Sequence, residues 1–169
     1  MTDIHVTETA SPIGDLTVAV RDGRLCAIDF GARPEVARRL AACGAVRRNG
    51  GRPAAPMLDR LRAYFDGDLA ALDAIEVEPL WGTAFQRRVW AALRTIPTGA
   101  TVSYAQLARR IRAPKAVRAV GAANGANPIP LVLPCHRVIA SGGGLGGYGG
   151  GLPMKRWLLA HEGVVLPSR

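Results

Sequence analysis

The sequence predicts an α/β (α+β) chain: a small N-terminal antiparallel sheet with helices, packed on a mainly helical C-terminal part. Three observations carry this. Apolar alternation suited to strands is confined to the first thirty or so residues, and helical spacing dominates afterwards. Charge also divides the chain. Residues 1–81 hold 10 Lys+Arg against 12 Asp+Glu, a net of −2, while residues 82–169 hold 12 bases and the single acid Glu162, a net of +11. A domain boundary is therefore expected between residues 81 and 82, with 1–81 as an α/β supporting domain. The basic half, 82–169, points to a polyanionic partner. Twenty of the 22 bases are Arg, which genomic composition can also produce; the segregation of charge is the better signal.

Residues 4–9 (IHVTET) and 16–20 (LTVAV) read as strands around the turn Ser11-Pro12-Ile13-Gly14. Asp22-Gly23 turns the chain into a third strand over 25–30. Helical spacing covers 35–42 and 56–65, the second opened by Pro56 and stopped near Gly67. The Gly/Arg/Pro-rich stretch 47–53 reads as a loop, and Asp66, Asp68, Asp73, Glu76 and Glu78 as a solvated acidic linker. Beyond residue 82, Thr83…Gln86 and Ser103…Gln106 are capping-box patterns, opening helices to about Leu93 and Ile111. Pro114 suits the first turn of a helix reaching about Asn124, which makes 103–124 a helix-turn-helix candidate with Lys115 and Arg118 on one face. A final helix spans 154–162 before Gly163. No internal repeats occur.

The 169 residues suit one ordinary domain or two small ones, and 49% hydrophobic content excludes a largely disordered chain. No apolar run reaches the roughly 18 residues of a membrane span. The N-terminus MTDIHVTETA lacks the basic and apolar regions of a secretory signal. Three cysteines, Cys26, Cys43 and Cys135, are too few for a disulfide scaffold and suit a reducing cytoplasm.

The chemistry concentrates in Pro134-Cys135-His136-Arg137-Val138. A cysteine among basic neighbours lies in positive potential that favours the thiolate. In an extended segment adjacent side chains point to opposite faces, so Cys135 and His136 would need a bend or a bridging water to cooperate. Glu162, the one acid of the basic half, is the candidate orienter of His136, giving a Cys–water–His–Glu relay.

These residues resemble the O6-alkylguanine-DNA alkyltransferases, proteins of direct-reversal DNA repair. The likeness extends to Thr83-Ala-Phe-Gln-Arg-Arg-Val-Trp90, Val102-Ser-Tyr104, Ala119-Val-Gly121, Asn127-Pro128, Gly147-Tyr-Gly-Gly150 and Trp157-Leu-Leu-Ala-His-Glu-Gly163, all in family order. It is strong over about 82–165, and Ser11-Pro-Ile-Gly14 extends it more weakly into the N-terminal half.

The resemblance implies a ribonuclease H-like N-terminal domain, and a C-terminal domain that binds DNA and accepts the alkyl group. Cys135 would take the alkyl group from the O6 of guanine once and irreversibly, with O4-alkylthymine left open as a second substrate. His136 would act as base through water with Glu162 polarising it. Asn127 would hydrogen-bond near the thiolate and tie the helix-turn-helix to the active-site segment, Tyr104 would supply a hydroxyl toward the guanine N3 side or the adjacent DNA phosphate, and Lys155 matches a lysine near the reacting oxygen. Pro130, Val138, Tyr148, Gly149 and Gly150 would line the base pocket. Arg118 would fill the stack left by the flipped base, the helix entering the minor groove. Lys115, Ala119, Ser103 and Asn124 would join it on the DNA, with Ala116, Gly121, Ala122 and Ala123 easing the close approach.

Cys26, Cys43, His5 and His161 lack paired ligand spacing, so no metal or other cofactor is expected. The resemblance further implies a stand-alone monomer with no obligate protein partner and no membrane. It would be cytoplasmic, reaching the nucleoid through DNA, with cooperative binding left open. Two other classes fit less well. A damage-marking binding module would lack the acceptor cysteine, and a Cys–His hydrolase would leave the basic helix-turn-helix unexplained.

Overall fold

The computed structural model describes residues 2–48 and 51–166. The chain forms two compact units that divide between Trp81 and Gly82.

In the first unit, β1 (Ile4–Thr9), β2 (Leu16–Arg21) and β3 (Arg24–Phe30) make an antiparallel meander. The β2–β3 turn has Asp22 and Gly23 at φ 52° and 76°, the left-handed pair that a tight hairpin requires. α1 (Pro34–Cys43) then leads to β4 (Val46–Arg48), which pairs parallel to β1 and gives the order β3-β2-β1-β4. The sheet is thus mixed rather than purely antiparallel. Arg47 and Arg48, read from sequence as loop, belong to its edge; three residues are too few to display alternation. Asn49 and Gly50 of that expected loop lie outside the described residues. α2 (Ala55–Phe65) buries Met57, Leu58, Leu61 and Tyr64.

The sheet and α1 enclose a core of Ile4, Val6, Ala19, Cys26, Ala27 and Leu40. The acidic connector is not a free linker. Ala71, Leu72 and Ile75 are buried between its acids. Glu76 O accepts from Leu25 N–H at 2.9 Å, and Glu78 N–H donates to Leu25 O at 2.8 Å. Apolar residues at three- and four-residue spacing pull the segment down, while Glu78 and Glu76 pair with Arg21 and Arg24.

The second unit contains α3 (Ala84–Leu93), α4 (Tyr104–Arg110), α5 (Val117–Gly125) and α6 (Leu152–His161), with a two-residue parallel pair, β5 (Val102–Ser103) and β6 (Val138–Ile139). Both capping boxes form: Gln86 and Gln106 N–H donate to Thr83 and Ser103 hydroxyls at 3.1 and 3.0 Å, and both glutamines accept in return. Each cap contributes about 1 kcal/mol. α5 packs against α3 and α4, and Trp90 Nε1–H donates to Ala123 O at 2.8 Å. A Cβ at Gly82 would lie 2.5 Å from the Trp90 ring, so only glycine fits there.

α5 starts at Val117, three residues later than Pro114 suggests. Ala116 N–H closes a separate turn on Ala113 O, and Ala116 at φ −96°, ψ 33° departs from helical geometry. Lys115 therefore precedes the helix and does not share a helical face with Arg118. Among the described residues no helix is long and apolar enough to cross a membrane.

Candidate active site

Cys135, His136 and Arg137 form a single 3-10 turn, not the extended segment expected from sequence. Proline on its N-terminal side holds the bend, and Arg137 N–H closes it on Pro134 O at 3.1 Å. Cys135 is 6% exposed and His136 entirely buried. His136 Nε2 is 2.8 Å from Glu162 Oε1. Arg137 completes the carboxylate's shell, Nε donating to Oε2 at 2.8 Å and Nη2 to Oε1 at 2.9 Å. Its remaining donors reach Ile96 O at 2.6 Å and Thr98 Oγ1 at 3.1 Å.

The protonation states follow from this arrangement. Burial alone would raise the Glu162 pKa, but hydrogen bonds from His136 and Arg137 outweigh it and hold the carboxyl at about 2. An ionised carboxylate only accepts, so His136 Nε2 carries the proton. Burial lowers the pKa of His136 against the pull of Glu162, which keeps the ring neutral. Nδ1 is then its basic nitrogen, and it has no hydrogen-bond partner among the described residues.

Around Cys135 burial pushes the thiol pKa up, opposed by the Asn127 side chain, the Lys155 charge and the Tyr148 side chain. Asn127 also braces the preceding turn. Its Nδ2 donates to Leu133 O at 2.7 Å and its Oδ1 accepts from Ile129 N–H at 2.9 Å, bracketing Leu131 at φ 75°. Cys26 offers a contrast: burial raises its thiol to about 11, with Glu78 adding to the shift, and no histidine faces it in that balance.

Lys155 is fully buried. Nζ donates to Val138 O at 2.6 Å, Leu145 O at 2.5 Å and Gly147 O at 3.1 Å. Burial lowers its pKa to about 8, with Cys135 acting in the opposite direction. An ammonium has three donors, and all three are occupied by carbonyls. Lys155 thus secures the glycine-rich loop to β6 and adds positive potential at Cys135.

Tyr104 follows the Ser103 cap. Burial raises its pKa and the Cys135 charge adds to the rise, while hydrogen bonds from the Gly147 backbone and the Asn124 side chain oppose it. Gly146 packs so closely that a Cβ there would lie 2.8 Å from the Tyr104 hydroxyl.

Of the residues expected at a nucleic-acid face, Lys115, Arg118 and Ala119 are exposed, and so is Ala122. Ser103 uses its hydroxyl as the α4 cap. Asn124 departs from expectation. It is 5% exposed and directs Nδ2 to Cys135 O at 3.4 Å, because the α5 turn carries it inward beside Val120 and Ala123. Gly121 lies 3.8 Å from the Tyr104 ring by its would-be Cβ, so it serves internal packing. Pro130 and Val138 are buried, Tyr148 and Gly150 are half-buried and Gly149 is exposed. A cavity of about 420 Å³ flanks the loop, lined by Gly143–Gly146, Leu152, Arg156 and Leu166.

Residues 84–164 match the DNA binding domain of 6-O-methylguanine DNA methyltransferase, and residues 4–79 match its ribonuclease-like domain. A methylated-DNA–protein-cysteine methyltransferase of Mycolicibacterium paratuberculosis is 49% identical over 152 residues, covering 90% of this chain and 88% of the relative. The chain belongs to the 6-O-methylguanine DNA methyltransferase family. A Salmonella typhimurium relative of the same name is 56% identical over 108 residues, but that match spans only 63% of the relative's length and 64% of this chain. Among solved structures, the crystal structure of Mycobacterium tuberculosis OGT in complex with DNA is similar, with a TM-score of 0.79 and 41% identity over 94% of this chain and 92% of that one.

Set in this family, the chain brings Cys135, His136, Glu162, Asn127, Tyr104 and Lys155 into one cluster. Sequence reasoning missed Arg137, which grips Glu162 as closely as His136 does; its place inside the Pro134–Val138 motif was the available signal. It also missed Gly146, one of many glycines in a run that gives no hint of which lies against Tyr104.

Proposed function

We propose that this chain repairs DNA by direct reversal, moving the alkyl group (methyl in the simplest case) from O6 of an alkylated guanine to Sγ of Cys135. The observation that carries the reading is the buried His136–Glu162 pair. It leaves neutral His136 with Nδ1 as its only basic nitrogen, one residue from a buried cysteine. The thiol proton passes through a water to Nδ1, and Glu162 stabilises the imidazolium. The Cys135 sulfur then forms its bond to the alkyl carbon as the C–O6 bond breaks, and the electron pair stays on the purine. Tyr104 gives its hydroxyl proton on the N3 side, so the base leaves neutral. The product is a thioether, which nothing in this site can reverse, so each molecule acts once.

A buried thiol cannot reach a stacked base, so the nucleotide is flipped, at a cost of a few kcal/mol. Exposed Arg118 fills the gap it leaves, with Lys115 and Ala119 against the backbone and groove. Such contacts carry little sequence information, which suits a protein that must inspect any sequence. Residues 1–81 act as the supporting domain and 82–169 as the DNA-binding and acceptor domain. The protein works as a monomer in the cytoplasm, at the nucleoid.

Intact-mass and peptide analysis after incubation with duplex carrying one O6-methylguanine tests the reading. The expected result is the mass of one methyl group on the peptide of Cys135. Label on another residue, or turnover beyond one equivalent, overturns it.

A further inference from the structure

We infer that Arg88 and Arg110 form a phosphate clamp where α3 meets the end of α4, gripping the DNA backbone beside the lesion; the inference rests on the DNA-binding part of the reading above. The two side chains cross between the helices. Arg88, on α3, donates from Nη2 to Ile111 O at the end of α4. Arg110, on α4, donates from Nη1 to Thr95 Oγ1, just past α3, at 3.3 Å. Thr95 is fixed in turn, its hydroxyl donating to Ala92 O at 2.7 Å. Arg88, Thr95 and Arg110 are all exposed. A guanidinium carries five N–H donors, and each of these two has a single side-chain hydrogen bond among the described residues. The other donors remain for a ligand. An arginine already held at one donor loses less freedom when the rest close on an anion.

The charge balance around the clamp points to a polyanion. In the first unit Arg21, Arg24, Arg33, Arg47, Arg48 and Arg62 pair with carboxylates. The second unit has one acidic side chain, Glu162, and it is buried against His136 and Arg137. Arg88, Arg109, Arg110 and Arg112 therefore stand exposed around one helix end with no acid of their own unit to pair with. Like charges so gathered repel one another, and a bound polyanion removes the repulsion. A cation at a helix C-terminus is favourable in itself. That does not account for Arg110, which reaches across to Thr95, when Arg88 already serves the Ile111 carbonyl. The cluster also continues the expected DNA contacts. Arg112, at φ 60°, turns the chain toward Lys115, and Arg118 is the second residue of α5. At 1.5 Å per residue, Arg110 lies about 9 Å along α4 from Tyr104, so the clamp meets phosphates flanking the flipped nucleotide.

The test is equilibrium binding of an undamaged duplex of about 20 base pairs across a salt series. It compares wild type, Arg88→Gln, Arg110→Gln, the double glutamine variant, Arg88→Lys/Arg110→Lys and Arg62→Gln. Each single glutamine should lower the slope of log K against log salt by about 0.9, and the double by about 1.8. Affinity near about 0.1 M salt should fall about 5–10-fold per arginine. The lysine pair keeps the charge and should keep the wild-type slope. Arg62→Gln removes the same charge from α2 and should leave the slope unchanged. Glutamine variants with the wild-type slope, or an equal fall in Arg62→Gln, overturn the inference. A lowered melting temperature with an unchanged slope also overturns it, making the two arginines a brace between helices. Should Arg88→Gln fail to fold, Arg110→Gln carries the measurement, because its contact with Thr95 is exposed. Undamaged duplex needs no chemistry, so failure of methyl transfer to Cys135 leaves the inference standing. A flat salt response of wild type overturns it together with the DNA-binding reading.

Discussion

His136 and Glu162 are joined by a 2.8 Å hydrogen bond although neither side chain is exposed to solvent. A buried carboxylate of this kind persists only because cations and donors replace its water. Arg137 provides that replacement on both oxygens. The relay is therefore a three-residue unit, in which Arg137 keeps Glu162 ionised and Glu162 fixes the His136 tautomer.

Acid stability should report on Glu162. Its folded pKa of about 2 lies below the ordinary 4.5, so it contributes stability above pH 4.5 that is lost as pH falls toward 2. Urea unfolding of wild type across that window should show a falling limb, and Glu162→Gln should flatten it. The same variant leaves Arg137 buried without its counter-charge, at a cost of about 3–5 kcal/mol, and should transfer methyl groups slowly. An unchanged acid limb would remove Glu162 as its source.

Cys135→Ala should abolish methyl uptake while leaving duplex affinity near wild type. Mass spectrometry and a fluorescence binding titration read the two effects separately. Loss of DNA binding in this variant would make Cys135 a structural residue.

Arg118→Ala should impair repair of duplex much more than reaction with free O6-benzylguanine, because only duplex requires the vacated stack to be filled. Parallel rate measurements decide it, and equal losses on both substrates would leave Arg118 without that role.

Arg112 occupies the helix-turn-helix turn with φ 60°, a conformation that costs a non-glycine residue about 1 kcal/mol. Arg112→Gly should raise the melting temperature. If the exposed guanidinium meets a phosphate, the same variant weakens duplex binding and reduces the salt slope by roughly 0.9. Opposite signs for stability and affinity are the expected outcome, and a melting temperature that falls counts against strain at this residue.

Lys155→Met should leave three carbonyls without their shared donor, each worth about 1–3 kcal/mol when buried and unsatisfied. Faster amide exchange confined to the loop around Gly142–Gly151, with slower alkyl transfer, is the expected pattern. Exchange as slow as wild type would exclude Lys155 as the loop's anchor.

Much of the fold was legible because it rests on local signals. The two capping boxes and the Asp22-Gly23 turn declare themselves within four residues, and all three form. What stayed hidden was short or long-range. β4, β5 and β6 are two or three residues each, and their partners lie far along the chain. The inward turn of Asn124 depends on how α5 packs on α3 and α4, which helical spacing alone does not specify. Of the site, the reactive turn and the acid announced themselves by type and rarity. Arg137 looked like one more arginine among twenty, and the full use of Lys155's donors is visible only once three carbonyls converge on it.

The pairing of Val102 with Val138 and Ser103 with Ile139 is two residues long, yet it joins the strand that ends just before Tyr104 to the one that begins just after Arg137. It works as a ruler between hydroxyl and sulfur. A substitution that shifts this pairing by a fraction of an ångström would alter the spacing of Tyr104 and Cys135, the proposed proton donor and nucleophile, while leaving both side chains intact. Variants of β5 and β6 are thus a way to tune the chemistry from outside the cluster, and their effect should appear in the rate before it appears in the fold.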